Sequence, residues 1–101
     1  MEFIKNSEFN ATLSSNKLVV VLCTASWCKP CEALKPIVYS IAASLTNIKF
    51  VMIDVDAESD LAARLGIRGI PTLLFFKDGE LFDRLVGNST RSSIVNVISR
   101  F

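Results

Sequence analysis

The stretch Trp27-Cys28-Lys29-Pro30-Cys31 follows the apolar run Leu18–Leu22 and opens a segment whose apolar residues recur at helical spacing. The run is rich in β-branched residues, which predicts a strand buried on both faces. A junction from strand to helix puts a cysteine sulfur beside the unpaired N–H groups of a helix N-terminus, where a thiolate is stabilised. Two cysteines separated by two residues can close a small disulfide ring and reopen it. The stretch therefore predicts a centre for thiol–disulfide exchange.

Metal binding and a purely structural disulfide are two further roles of a Cys-x-x-Cys pair, and both have less support in this sequence. A zinc site needs four ligands, and the chain has three cysteines and no histidine. A zinc or iron–sulfur half-site completed by a second chain has no further support. A structural disulfide would close too small a loop to stabilise the fold much. The third cysteine, Cys23, lies in the predicted strand and is interpreted as a small buried apolar side chain.

The two cysteines of the motif are expected to differ in their roles. Cys28 lies nearer the helix start, beside an exposed Trp27, and is expected to be the low-pKa thiolate that attacks a disulfide. Cys31 lies one turn inside the helix and is expected to be less exposed and to resolve the mixed disulfide. Pro30 suits the first helical turn because its missing N–H would have no partner there. Lys29 adds a positive charge, which favours the thiolate.

Composition limits the classes of protein and partner. The chain has 101 residues, half of them hydrophobic, which predicts one domain over residues 1–101 with ample material for a core. Its 11 basic and 10 acidic side chains give a net charge of +1 without a basic stripe, so nucleic acid and anionic membranes are not expected partners. The longest apolar run, Leu18–Cys23, is too short to span a bilayer, and the first residues do not form a secretion signal. We expect a cytoplasmic monomer.

Hydrophobic periodicity predicts strands that alternate with helices, followed by a hairpin. Asp78-Gly79 between two apolar runs is a strong hairpin signal. The predicted order β-α-β-α-β-α-β-β-α gives the α/β class, with a mixed central sheet of parallel units and a C-terminal antiparallel hairpin, flanked by helices on both faces. Predicted strands cover 3–5, 18–24, 48–55, 72–76 and 80–86. Predicted helices start near Ser7, at the cysteine motif with a kink at Pro36, at Asp60, and at Ser89 or Thr90.

The chain resembles the thioredoxin family over nearly its whole length. The resemblance implies the thioredoxin fold and a cis peptide bond between Ile70 and Pro71, opposite the cysteines. The matching segments are the Trp-Cys-x-Pro-Cys motif, Pro36, Asp54-Val55-Asp56, residues 66–76, Asp78-Gly79 and Val86-Gly87.

The resemblance further implies a function, a partner and a substrate surface. The implied function is the reduction of disulfides in protein substrates, with Cys28 as nucleophile and Cys31 as resolving cysteine. A thioredoxin reductase would return the chain to its dithiol form, and no bound cofactor or metal is implied. Two alternatives remain open: a relative that favours disulfide oxidation or isomerisation, and a non-catalytic subunit that binds within a larger complex. The implied rim, at which the backbone receives an extended substrate segment, consists of Trp27, Ile67, Gly69, Ile70, Pro71, Val86 and Gly87.

Three positions depart from the family pattern. Lys29 stands where the motif usually has glycine, Leu22 where a buried aspartate is usual, and Met52 where a lysine is frequent. Exchanging a buried ion pair for packed apolar groups is often neutral or stabilising, so the change can serve core packing. It can also alter proton transfer, because in the family that aspartate assists deprotonation of the resolving cysteine. We expect a more acidic Cys28 than in a chain with the aspartate, and a resolution step that needs another base.

Overall fold

The structure, a computed structural model, describes residues 1–101 and has five strands and four helices in the predicted order. None of the helices combines the length and the apolar character needed to cross a membrane. The strands are β1 (Glu2–Phe3), β2 (Leu18–Thr24), β3 (Lys49–Asp54), β4 (Thr72–Lys77) and β5 (Glu80–Val86), and the helices are α1 (Asn6–Ser15), α2 (Lys29–Ser44), α3 (Ser59–Arg64) and α4 (Arg91–Ser99).

The strands form one mixed sheet in the order β1-β3-β2-β4-β5. β2 and β3, which are connected through α2, pair in parallel, as do β1 and β3. β4 is antiparallel to β2, and a tight turn at Asp78 and Gly79 returns the chain as β5 antiparallel to β4. Both turn residues have positive φ, 52° and 81°, as a two-residue hairpin turn of this kind requires. The predicted α/β class and mixed sheet are confirmed.

Side chains from the two faces of the sheet form two hydrophobic cores. β2 contributes to both because successive residues of a strand point to opposite faces. Val20 and Leu22 pack with buried residues of α2 and α4, whereas Val19, Val21 and Cys23 pack on the side of α1 and α3. Each fully buried Val or Leu side chain contributes about 1.5–3 kcal/mol to folding. Helices therefore cover both faces, and the end of β2 is held firmly at the junction with α2.

The first strand and helix begin at other residues than those predicted. β1 ends at Phe3, although the Ile4 N–H still donates to the Met52 carbonyl of β3 at 2.9 Å. α1 begins at Asn6 without a Ser7 cap, because the Lys5 N–H donates to the Glu8 carboxylate at 2.9 Å and closes the first turn. The error arises because a glutamate inside the first turn can satisfy a donor that the sequence pattern assigns to a serine cap.

Proline does not interrupt α2. The helix is continuous from Lys29 to Ser44, and Pro36 lies on its exposed side. Its buried face is formed by Cys31, Leu34, Val38 and Ile41, at the spacing predicted for an amphipathic helix. The N-terminus of α2 is thereby fixed against the end of β2.

Candidate active site

Cys28 and Cys31 form a disulfide at the start of α2, with their Cα atoms 5.3 Å apart. Cys28 is the N-cap of the helix, and its sulfur accepts the Cys31 N–H at 3.2 Å. Pro30 lies in the first turn, where its lack of an N–H leaves no unpaired donor. The motif therefore forms one helical turn, and residues three apart on a helix are neighbours. The pair can open by taking up two electrons and two protons, and can close by losing them.

The side chains of the two cysteines differ slightly in exposure. Cys28 is 3% exposed and Cys31 is fully buried, so the remaining solvent contact belongs to Cys28. Both pack with Ala25, and Val55 and Ile70 lie against the same cluster. The order of exposure agrees with the sequence analysis. In the disulfide form the sulfur of Cys28 is bonded to Cys31 and accepts the Cys31 N–H, so little of this side chain reaches solvent.

The electrostatic surroundings of Cys28 favour a thiolate once the disulfide opens. The N-terminus of α2 provides the positive end of the helix dipole. The Cys31 N–H already points at the sulfur of Cys28. Lys29 is exposed and forms no ion pair within the chain, and its positive charge lies in the same first turn of α2 as the acidic Glu32. These groups stabilise the charged form of the thiol, which is the form that attacks disulfides.

Trp27 lies on the surface next to the disulfide and is held in place by the turn that follows β3. Its side chain is 66% exposed, in agreement with the expected exposure, and its indole N–H donates to Asp56 Oδ2 at 2.7 Å. Asp56 belongs to a turn fixed by Asp54, whose Oδ1 accepts the N–H groups of Asp56 and Ala57 at 2.9 and 3.2 Å. Sequence reasoning missed this role of Asp56, because acidic residues after a strand are typical of a solvated loop. The available signal was its place just after β3, at the sheet edge where β2 also ends.

The loop before β4 lies against the disulfide. The Ile70–Pro71 peptide bond is cis, and Ile70 packs on the cysteine cluster. The carbonyl of Pro71 accepts the Gly87 N–H at 2.7 Å, which ties the loop to the end of β5. The buried Thr72 hydroxyl donates to the Gly69 carbonyl at 2.6 Å. Two loops that are distant in sequence are therefore fixed together beside the redox pair.

Two glycines shape this surface. Gly69 allows the loop before β4 to approach the end of β5, and Gly87 forms a turn after β5. A Cβ atom on Gly69 would lie 3.8 Å from Cγ1 of Val86, so the loop before β4 touches the end of β5. Val86 is 64% exposed although it is apolar. Gly87 has a φ of 85°, a conformation that other residues rarely adopt. The two loops present a small apolar surface to solvent.

A groove of about 470 Å³ lies between Trp27, α3 and the loop before β4. Of the predicted rim, Pro71 is buried and Val86 and Gly87 lie outside the groove. A larger, polar cleft of about 610 Å³ lies between α1 and the β4–β5 turn and contains no predicted site residue. The groove beside the cysteines is lined by Trp27, Val55, Ser59, Ala62, Ala63, Ile67, Arg68, Gly69 and Ile70.

Two of the positions that depart from the family pattern are direct neighbours. Leu22 of β2 pairs with Met52 of β3 in the parallel register, and both side chains belong to the core on the α2 side. Leu22 is fully buried and Met52 is 3% exposed. The Tyr39 hydroxyl donates to the Met52 sulfur at 3.6 Å, a weak contact for a sulfur acceptor. An apolar pair therefore fills the place of the family's polar pair.

Cys23 takes no part in this site. It is buried on the opposite face of the sheet, in the core with Val21 and Ile53. Burial raises the pKa of its thiol from 9.0 to about 12, although the positive charge of Arg84 acts in the opposite direction. No group of three or more His, Cys, Asp or Glu side chains lies close enough together to hold a metal ion. The interpretation of Cys23 as a buried apolar side chain agrees with its surroundings.

The raised pKa of Cys23 predicts a loss of stability in alkali. Between the unfolded pKa near 9 and the folded pKa of about 12, the unfolded chain loses the thiol proton and the folded chain keeps it. The free energy of unfolding is therefore expected to fall by about 1.4 kcal/mol per pH unit across this window because of this one group. Urea unfolding at pH 8 to 11 measures the slope. In Cys23→Ala the slope should be smaller by that amount, and equal slopes would contradict the assignment.

Comparison with known proteins connects this geometry to one family. The family model Thioredoxin matches residues 1–100. Thioredoxin Asp f 29 of Aspergillus fumigatus is 46% identical over 71 residues, which cover 68% of this chain and 64% of that relative. The thioredoxin of Chlamydia muridarum is 35% identical over 100 residues, covering 99% of this chain and 97% of the relative. A structure of Plasmodium falciparum thioredoxin aligns with a TM-score of 0.91 at 29% identity, covering 99% and 97% of the two chains. The chain belongs to the thioredoxin family, whose members are thiol–disulfide oxidoreductases.

Proposed function

We propose that the chain reduces disulfide bonds in protein substrates by dithiol–disulfide exchange. The observation that carries the proposal is the Cys28–Cys31 disulfide at the N-terminus of α2, with the remaining solvent contact at Cys28. In the reduced chain, the thiolate of Cys28 attacks one sulfur of the substrate disulfide and displaces the other as a thiolate. The thiol of Cys31 then loses its proton and attacks the Cys28 sulfur. The substrate leaves as a dithiol, and the chain keeps the disulfide.

The substrate is an extended segment that lies across the two loops beside the cysteines. Support comes from the apolar character of this surface, where Trp27 and Val86 are exposed and Ile67 and Ile70 line the groove. In the proposed complex the substrate pairs with main-chain groups of the loop before β4, a common mode of peptide recognition. Lys29 and Pro30 belong to the site as the residues that shape and charge the first turn of α2.

A thioredoxin reductase is the proposed electron donor, and a monomer in the cytoplasm the proposed working form. The support for the compartment is chemical, because the reaction consumes thiols and the cytoplasm keeps thiols reduced. No bound cofactor is needed, since the electrons enter and leave as thiols.

Two other functions would use the same fold. The positive charge of Lys29 and the replacement of the family's aspartate by Leu22 both favour the thiolate of Cys28. A stabilised thiolate makes the disulfide a stronger oxidant, as in an oxidase. A binding subunit would need the fold without the exchange chemistry. The family and the names of the relatives favour an oxidoreductase over a binding subunit.

Reduction of a model protein disulfide in the presence of dithiothreitol tests the proposal. The native chain is expected to accelerate the reduction, and Cys28→Ser combined with Cys31→Ser is expected to leave only the rate of dithiothreitol alone. Cys23→Ala is the matched control, because it removes the third thiol and keeps the motif. An active double variant would contradict the proposal. Equilibration with glutathione then gives the direction, since a strongly oxidising pair would point to the oxidase.

A further inference from the structure

The hydroxyl of Thr24 is the one buried side-chain oxygen or nitrogen that has no hydrogen-bond partner. Two polar side chains, Thr24 and Thr72, are buried in this chain, each 1% exposed. The hydroxyl of Thr72 donates to a carbonyl at 2.6 Å, whereas that of Thr24 has no partner. Buried polar groups are nearly always paired, so an unpaired one requires a physical reason. A state of the protein that is not the disulfide form can provide the missing partner.

Thr24 lies at the end of β2, next to the redox pair. It follows Leu22 by two positions and therefore points to the same face of the sheet, the face covered by α2. α2 returns from the end of β2 to the start of the parallel strand β3, so its first turn lies above this end of the sheet. Ala25, the next residue, packs with Cys28 and Cys31. The Thr24 side chain therefore lies on the face of the sheet that α2 covers, at the end where α2 begins with the turn that contains the buried Cys31.

The chemistry at Cys31 changes with the redox state. In the disulfide form its sulfur is bonded to Cys28 and is a poor acceptor. Reduction frees this sulfur as a thiol or a thiolate, and a buried thiolate is stabilised by a hydrogen-bond donor. The neighbouring positions Leu22 and Met52 are apolar and have no hydroxyl, carboxyl or amine to offer.

We infer that the Thr24 hydroxyl donates a hydrogen bond to the Cys31 sulfur in the reduced chain and so shifts the redox equilibrium toward the dithiol. The hydroxyl is unpaired in the disulfide form and paired in the dithiol form. Because an unpaired buried hydroxyl costs free energy, the disulfide form is destabilised relative to the dithiol form. This inference rests on the proposed function, because it concerns the equilibrium of the same cysteine pair. In the chain, Thr24 then provides a donor where the family's aspartate is absent.

Equilibration with glutathione measures the effect. Two glutathione thiols reduce the protein disulfide to the dithiol and leave as glutathione disulfide, so electrons and protons balance. Thr24→Val keeps the shape of the side chain and removes the donor. It is expected to shift the equilibrium constant about fivefold to tenfold toward the protein disulfide, the size of one buried hydrogen bond. A tenfold change corresponds to about 30 mV.

Thr24→Ser is the matched control, because it keeps the hydroxyl and loses only a methyl group. Its equilibrium constant is expected to stay within about twofold of that of the native chain. Thr24→Ala is a second variant without a donor, and its equilibrium constant should shift in the same direction as that of Thr24→Val. It replaces Thr24→Val if the valine variant does not fold. An unchanged equilibrium in both variants without a hydroxyl would overturn the inference. If the native chain exchanges with glutathione and the variants without a hydroxyl show no shift, this inference alone is contradicted. If the native chain does not exchange with glutathione, the proposed function is contradicted.

Discussion

Cys31→Ser is expected to stop the reaction halfway, with the substrate covalently attached to Cys28. The variant keeps the thiolate that attacks, so the mixed disulfide forms, but it lacks the thiol that resolves it. Cys28→Ser should form no such complex and should lower the reduction rate by at least about a hundredfold, because a hydroxyl supplies almost no anion at neutral pH. Non-reducing electrophoresis of each variant with a model protein disulfide measures the complex. Dithiothreitol should reduce the mixed disulfide and release the substrate.

The matched control for this trap is Cys23→Ala, which is expected to behave as the native chain because Cys23 is buried on the other face of the sheet. A stable complex formed by Cys28→Ser would reverse the assigned roles. In the native chain, release of the substrate should accelerate as the pH rises, since no buried carboxylate accepts the Cys31 proton. Equal release rates at pH 6 and pH 8 would show that another base is already in place.

Leu22→Asp is expected to destabilise the fold by about 3–5 kcal/mol at neutral pH, because it leaves an unpaired charge in a core. Leu22 is fully buried, and its neighbour Met52 has no charge to offer. Burial raises the pKa of such a carboxyl, so the loss should be largest above that raised pKa. It should shrink as the pH falls through that raised pKa toward the unfolded value of about 3.9, below which the folded and unfolded forms both bind the proton. Urea unfolding at pH 4 to 8 measures the dependence.

Leu22→Asn and the double variant Leu22→Asp with Met52→Lys separate charge from polarity. Leu22→Asn adds a polar group without a charge, so its destabilisation should not depend on pH. The double variant restores an ion pair across β2 and β3, and coupling between the two sites is expected to recover about 0.5–3 kcal/mol. Additive losses in the double variant would show that the two side chains do not interact.

The same variants test the acidity of the nucleophile. A buried carboxylate near the cysteines disfavours the thiolate, so Leu22→Asp should raise the pKa of Cys28 relative to the native chain, and Leu22→Asn should not. Ultraviolet absorbance of the thiolate against pH gives the titration midpoint in each chain. Equal midpoints in the native chain and Leu22→Asp would show that the apolar pair does not set the acidity of Cys28, and core packing alone would account for the pair.

Sequence reasoning was most successful where neighbouring residues determine structure. The Asp78-Gly79 turn, the strand at residues 18–24 and the capped helix at Thr90 depend on residues only a few positions apart, and each lies where it was predicted. It was less successful at Ser7, where a competing glutamate carboxylate closed the first turn of α1.

The sequence by itself determined the order of elements, the mixed sheet and the cysteine pair at a helix N-terminus. These follow from hydrophobic period, turn chemistry and capping, which act over one or two turns of chain. Tertiary structure alone decided that Trp27 is held by Asp56, that Leu22 pairs with Met52, and that the Thr24 hydroxyl has no partner. The first two contacts join residues 29 and 30 positions apart, and all three features depend on strand register and on the path of α2 across the sheet. No local pattern encodes that register, because it is set when the two faces of the sheet close into cores.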